Sequence, residues 1–149
     1  MIAKTFLAAL GVMAASTLAH ADAIPSFLSD GQKYVTDIKA CTAEVVDETD
    51  ILQLTKDGVF GYEYGCNFVQ FMDVRDVGDG KVYQYLAISA CGDDSGVTRP
   101  DMFTMMPSDE GRLYITSQNE YLTQLALERS STSTEGHWIV EKEFVRCPN

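Results

Sequence analysis

The sequence is short of positive charge: 11 Lys and Arg stand against 22 Asp and Glu, a formal −11. The basic residues are scattered singly, so nothing in the chain offers the patch that nucleic acid or an anionic membrane surface requires. Histidine is scarcer still, with only His20 and His137. No C-x-x-C occurs, which removes a thioredoxin-type redox centre and a zinc ribbon. No G-x-S-x-G occurs, which removes the nucleophile elbow of an α/β-hydrolase. No apolar run reaches the roughly 20 residues of a bilayer-spanning helix. Neither a cofactor nor a metal site is expected.

What is present begins with an export signal. Lys4 supplies the positive start, an apolar run follows from Thr5 to Ala15, and Ala19-His20-Ala21 fits the small-residue cleavage rule. Residues 1–21 are read as a signal peptide cleaved before Asp22. No cysteine stands at the cleavage point, so a lipid anchor is disfavoured. Residues 22–149 are then a single domain, with 10 basic against 22 acidic residues. The expected location is the periplasm or the exterior, with no membrane association after cleavage. A cationic protein is the partner that the charge favours.

Four cysteines, Cys41, Cys66, Cys91 and Cys147, remain in that domain. An even set in an exported chain argues for two disulfides. Counting leaves three pairings open, and one assumed strand register favours a first pair. Two runs rich in Val, Phe and Tyr, Val59 to Val74 and Val82 to Ala90, flank Val77-Gly78-Asp79-Gly80 and read as a β-hairpin. If Gly78-Asp79 form a two-residue loop, Cys66 falls opposite Cys91 at a non-hydrogen-bonded position, where side chains come closest. Val69 then meets Ile88, and Phe71 meets Leu86, on a core face. Phe68, Met72, Tyr83 and Tyr85 take the other face. Cys66–Cys91 and Cys41–Cys147 are therefore expected; the rival set is Cys41–Cys66 with Cys91–Cys147.

The rest of the chain carries short strand signals between turn-forming clusters. Residues 22–30 read as an irregular lead-in. Ile51 to Leu54, Met102 to Met106, Leu113 to Ile115 and His137 to Arg146 read as strands. Asp57-Gly58 and residues 107–111 read as turns, and Ser130 to Gly136 as a Ser/Thr-rich loop. Tyr34, Ile38, Cys41 and Val45 fall at helical spacing, although the β-branched content there favours a strand. Ser117-x-x-Glu120 has the form of a capping box, whereas pairing with the last segment would make Tyr121 to Glu128 a strand, and both readings stay open. The fold class is mainly β: a small antiparallel barrel or sandwich, with at most one or two short helices near 31–42 and 119–128.

The candidate chemistry is sparse. Asp47, Glu48 and Asp50, and again Asp93, Asp94 and Ser95, are acidic turns, but neither has the ordered spacing of an EF-hand loop, and a solvated turn is the simpler account. Glu63, between Tyr62 and Tyr64, is the carboxylate whose aromatic setting best suits a general acid. It carries the alternative of a small periplasmic hydrolase; a structural envelope protein is a further one. His137, beside Trp138, reads as a structural or surface histidine. Tyr62, Tyr64, Phe68, Phe71, Tyr83 and Tyr85 read as strand and core aromatics rather than a ligand groove.

The segment Ser95-Gly96-Val97-Thr98-Arg99-Pro100 follows Cys91 as a loop between strands. With the signal peptide and the disulfide-stapled β-domain, it resembles the periplasmic inhibitors of C-type lysozyme. That resemblance implies an eight-stranded antiparallel barrel and a non-enzymatic inhibitor or binding role. It implies that Ser95 and Gly96 lie in the loop inserted into the lysozyme cleft, and that Arg99 faces the catalytic carboxylates. Arg99-Pro100 stand where the family carries a tyrosine.

Overall fold

The computed structural model describes residues 23–29, 31–42, 51–93, 95–108, 110–130 and 139–148. The export signal and its cut before Asp22 lie outside the described residues, as do Asp47, Glu48, Asp50, Asp94, His137 and Trp138.

Eight antiparallel strands pair in chain order, and the first meets the last, closing a barrel. They are β1 (Tyr34–Val35), β2 (Gln53–Thr55), β3 (Gly58–Gly61), β4 (Tyr64–Arg75), β5 (Val82–Asp93), β6 (Thr98–Pro107), β7 (Arg112–Ser117) and β8 (Lys142–Arg146). Two helices accompany them, α1 (Ser26–Ser29) and α2 (Gln118–Arg129), with a 3-10 turn at Ile38–Thr42. The mainly β class holds, and the segment 119–128, which the sequence leaves open between helix and strand, is helical.

Period-two burial makes the core. Phe103 and Met105 of β6, Leu113 and Ile115 of β7, Leu54, Val59 and Phe144 turn inward and are fully buried. Gly58 lets β3 approach β4, since a Cβ there would lie 2.0 Å from the Cys66 carbonyl oxygen.

Both expected disulfides form, with Cα–Cα distances of 5.4 Å for Cys41–Cys147 and 3.9 Å for Cys66–Cys91. The register around the second pair needs correction. Cys66 does lie opposite Cys91, but Gln70, not Val69, pairs with Ile88, and Phe71 pairs with Ala87. The hairpin loop is longer than two residues: the Asp76 N–H donates to the Lys81 carbonyl (2.8 Å), and the Gly80 N–H to the Asp76 carbonyl (2.9 Å). Val69 is an extra residue on β4, and Tyr83 one on β5. The two insertions cancel, so the cysteines still meet. The Val69 bulge turns Phe68 and Phe71 to the same side, where their rings sit 5.1 Å apart. Val69 itself is left 71% exposed and Ile88 36% exposed, so the anticipated Val69–Ile88 core face points outward.

Other boundaries shift for local reasons. The lead-in is not irregular throughout: α1 buries Leu28 completely in the main core, and Phe27 packs edge-on against Tyr34 and Tyr85. Residues 31–42 are not one helix, because Tyr34 and Val35 supply the rung between β2 and β8 and only Ile38–Thr42 coils. A turn at Tyr62–Glu63 splits the run from Val59 to Val74. Of the expected strand from His137 to Arg146, residues 137 and 138 lie outside the described residues, Ile139 to Glu141 are not strand, and β8 starts at Lys142 after Glu141 with φ 48°.

Candidate functional site

Beside the eleven-pair β4–β5 ladder, the β5–β6 hairpin pairs at eight positions. Its last rungs pair Cys91 with Arg99 and Gly92 with Thr98. Beyond them the chain reverses in a tip fixed by its own polar groups. The Asp93 carboxylate accepts the Ser95 N–H (2.8 Å), the Gly96 N–H donates to the Asp93 carbonyl (3.2 Å), and the Val97 N–H donates to the Ser95 hydroxyl (3.4 Å). Gly96 takes φ +76°, which a side chain would oppose. The hydrogen bonds from Ser95, first its side chain and then its backbone, hold the Asp93 carboxyl below the usual carboxylate range. Ser95, Gly96, Val97 and Arg99 are all exposed.

Beside this tip, at one mouth of the barrel, lies a cleft of about 200 Å³ lined by Tyr64, Cys91, Gly92, Asp93, Val97, Arg99, Asp101, Asn119 and Glu120. Of the three anticipated contact residues, Arg99 reaches the cleft, whereas Ser95 and Gly96 remain on the tip.

The far wall is the start of α2, built around a buried carboxylate. One oxygen of Asp101 accepts the Met102 N–H (2.7 Å) and the Asn119 N–H (3.1 Å). The other accepts the Ser117 hydroxyl (2.6 Å). Ser117 caps the helix, its hydroxyl accepting the Glu120 N–H at 3.1 Å. The second half of the capping box is not made. The Ser117 N–H donates to the Ile139 carbonyl at 2.7 Å instead, and the Glu120 carboxylate accepts the Ile139 N–H.

Glu120 also lies 3.5 Å from the Tyr64 hydroxyl, which is 2.9 Å from the Cys66 sulfur. An oxidised sulfur has no proton, so the phenol is the donor. Burial pushes the Glu120 carboxyl above the usual carboxylate range. The Ile139 N–H opposes that shift, the Asp101 charge adds to it, and Tyr64 opposes it again. Burial, then the Glu120 and Asp101 charges, push the Tyr64 phenol far above its ordinary range, so it stays a donor at every working pH. The carboxylates in the wall are thus engaged in holding α2, β4 and the approach to β8 together.

Asp101 carried no signal in the sequence, and Tyr64 and Glu120 only partial ones. Tyr64 reads there as a strand aromatic and Glu120 as a helix cap. Glu63, in contrast, is exposed at φ 54° in the Tyr62–Glu63 turn, and its flanking tyrosines do not enclose it. It borders a second groove with Gly61, Asn67, Asp93 and Thr98. Among the described residues no group of three or more His, Cys, Asp or Glu side chains is placed to hold a metal ion. Among the same residues no helix is long and apolar enough to cross a membrane.

No protein-family model matches the chain, and the comparisons with curated proteins and with solved structures give no significant match either.

Proposed function

We propose that the protein is an exported, non-enzymatic binding module of the inhibitor type, which presents the β5–β6 hairpin and Arg99 to a cationic protein of the lysozyme kind. The observation that carries this reading is the rung beneath the tip. Cys91 is bonded to Cys66 on one side and pairs with Arg99 on the other. The arginine is thereby anchored to a covalent cross-strand link, and a pre-ordered loop loses less entropy on docking. A guanidinium donates two parallel hydrogen bonds to a carboxylate, and a desolvated contact of that kind dominates a small interface. The closed eight-stranded barrel supports the same reading, and the formal charge of −11 steers a cationic partner. Two disulfides suit an oxidising compartment, so the periplasm or the exterior is where the module acts.

A lysozyme turbidity assay with the mature, oxidised protein tests the proposal. Inhibition is expected, and Arg99→Ala is expected to weaken it on the order of 30-fold. Absence of inhibition of every lysozyme class at micromolar protein would overturn the inhibitor reading. Inhibition indifferent to Arg99→Ala would move the contact away from this hairpin.

A further inference from the structure

The three longest strands have an inverted charge pattern. Their charged residues are Asp73 and Arg75 in β4, Asp93 in β5, and Arg99 and Asp101 in β6. All five share the side of the strands that carries the core residues: Asp73 lies opposite Tyr85, Asp101 opposite Ser89, Arg99 opposite Cys91, while Arg75 and Asp93 follow at two-residue spacing along their strands. They lie at the two ends of the strands, where Arg75, Asp93 and Arg99 are exposed, Asp73 is half-buried and Asp101 is buried. The outward face of the same strands carries no charge at all. Its central rows are Gln70–Ile88–Met102 and Met72–Leu86–Thr104. Val69 stands out from the bulge at 71% exposure, and Met106 at 40% extends the face. An ordinary antiparallel sheet keeps its polar residues on the wet side.

We infer that this face of β4, β5 and β6 is the contact surface of a homodimer. Charge selects the occupant. A partner drawn by the acidic surface must be cationic, and a face without carboxylates offers such a partner nothing. Two copies of a chain with formal charge −11 repel each other wherever acids meet. A charge-free face is where they can approach without placing carboxylate against carboxylate. The contact is isologous, with the two-fold axis passing near Ile88 at the middle of the middle strand. Strands of this length at a rise of about 3.3 Å and a spacing of about 4.8 Å give each copy a face on the order of 500 Å². Two such faces reach about 1,000 Å², the lower end for a specific interface. The dimer is therefore weak and forms at micromolar concentration or above. It leaves the β5–β6 tip and its cleft free, so it stands or falls independently of the proposed inhibitory contact.

Sedimentation velocity of the mature, oxidised protein, from micromolar to submillimolar concentration, tests this at ionic strengths of about 0.02 M and about 0.5 M. Dimer is expected to increase with salt, because screening weakens the repulsion; a contact made by ion pairs would do the reverse. Ile88→Lys and Ile88→Glu, both surface changes, are each expected to weaken the dimer at least about 30-fold while leaving the melting temperature near that of the parent. The two opposite charges separate burial of a charge from any change in net charge. A protein that stays monomeric throughout overturns the inference, as does a dimer indifferent to both substitutions. Flotation with phosphatidylcholine vesicles, lost in both variants, would assign the face to a lipid surface and would likewise overturn it.

Discussion

The barrel is held in two different ways on its two sides. Along β4 and β5 the backbone pairs at eleven positions, and Cys66–Cys91 lies inside that ladder. At the closing seam β1 is two residues long and pairs at only two positions with each neighbour. There the chain adds other fastenings. Cys41–Cys147 ties the 3-10 turn to the residue after β8, and the Cys147 N–H donates to the Lys33 carbonyl at 2.8 Å. A small separate core of Val35, Ala40, Ile51 and Cys147 packs around the link. A covalent bond inside a long ladder fixes what the ladder already aligns. A covalent bond at a short seam stands in for hydrogen bonds that two residues cannot supply.

The largest effect should come from the seam. The Cys41–Cys147 link spans 106 residues, for which loop-closure entropy gives about 5 kcal/mol. Cys41→Ala with Cys147→Ala should lower stability by roughly that amount, measured by urea unfolding. Hydrogen exchange should show the Cys147 and Arg146 amides losing protection before those of β4 and β5. Uniform loss across the barrel would erase the distinction between the two sides.

Next comes the ladder. Cys66–Cys91 spans 25 residues, worth about 3–4 kcal/mol on the same argument. Cys66→Ala with Cys91→Ala should therefore cost less in urea while leaving seam exchange unchanged. It should slow no partner's encounter but speed its release, because a looser tip loses more entropy when bound. A variant with parental release kinetics would mean that the ladder alone stiffens the tip.

The smallest effect concerns the polar clasp between the two sides, where Glu120 joins the Ile139 N–H, ahead of β8, to Tyr64 of β4. Its raised folded pKa means that the folded state holds the proton more tightly than the unfolded chain does. The stabilising contribution is complete below the ordinary Glu value and is lost as pH rises through the folded value. Glu120→Gln removes that dependence while keeping an acceptor for Ile139. The melting temperature of Glu120→Gln relative to the parent should therefore rise from pH 4 to pH 7. A difference that stays constant with pH would show that Glu120 ionises without cost.

Much of the ladder side was legible because its signals are local. Strand propensity, a Gly-containing turn and the Cys66/Cys91 register all point to one hairpin. Ser117-x-x-Glu120 likewise marks the start of α2, since a cap depends on residues three apart. The bulges carry no local signal of their own, although Phe68 and Phe71, three apart, cannot face one core without an inserted residue. The assumed strict alternation put Val69 and Ile88 inside. Arg99 was legible as a loop residue near a cysteine. Its place beside Tyr64, Asp101 and Glu120 was not, because those residues reach the cleft from β4, β6 and α2.

The sequence by itself determined the β class, the excess of negative charge and the cap signal Ser117-x-x-Glu120, and it favoured the pairing of Cys66 with Cys91. Each follows from neighbours along the chain, or from one hairpin in which separation along the chain translates into position. Only the tertiary structure decided that two residues, Tyr34 and Val35, close the barrel, that Leu28 enters its core, and that Glu120 binds Ile139 rather than its own helix start. Those choices depend on which distant groups remain unpaired and which voids remain unfilled once the ladder has formed.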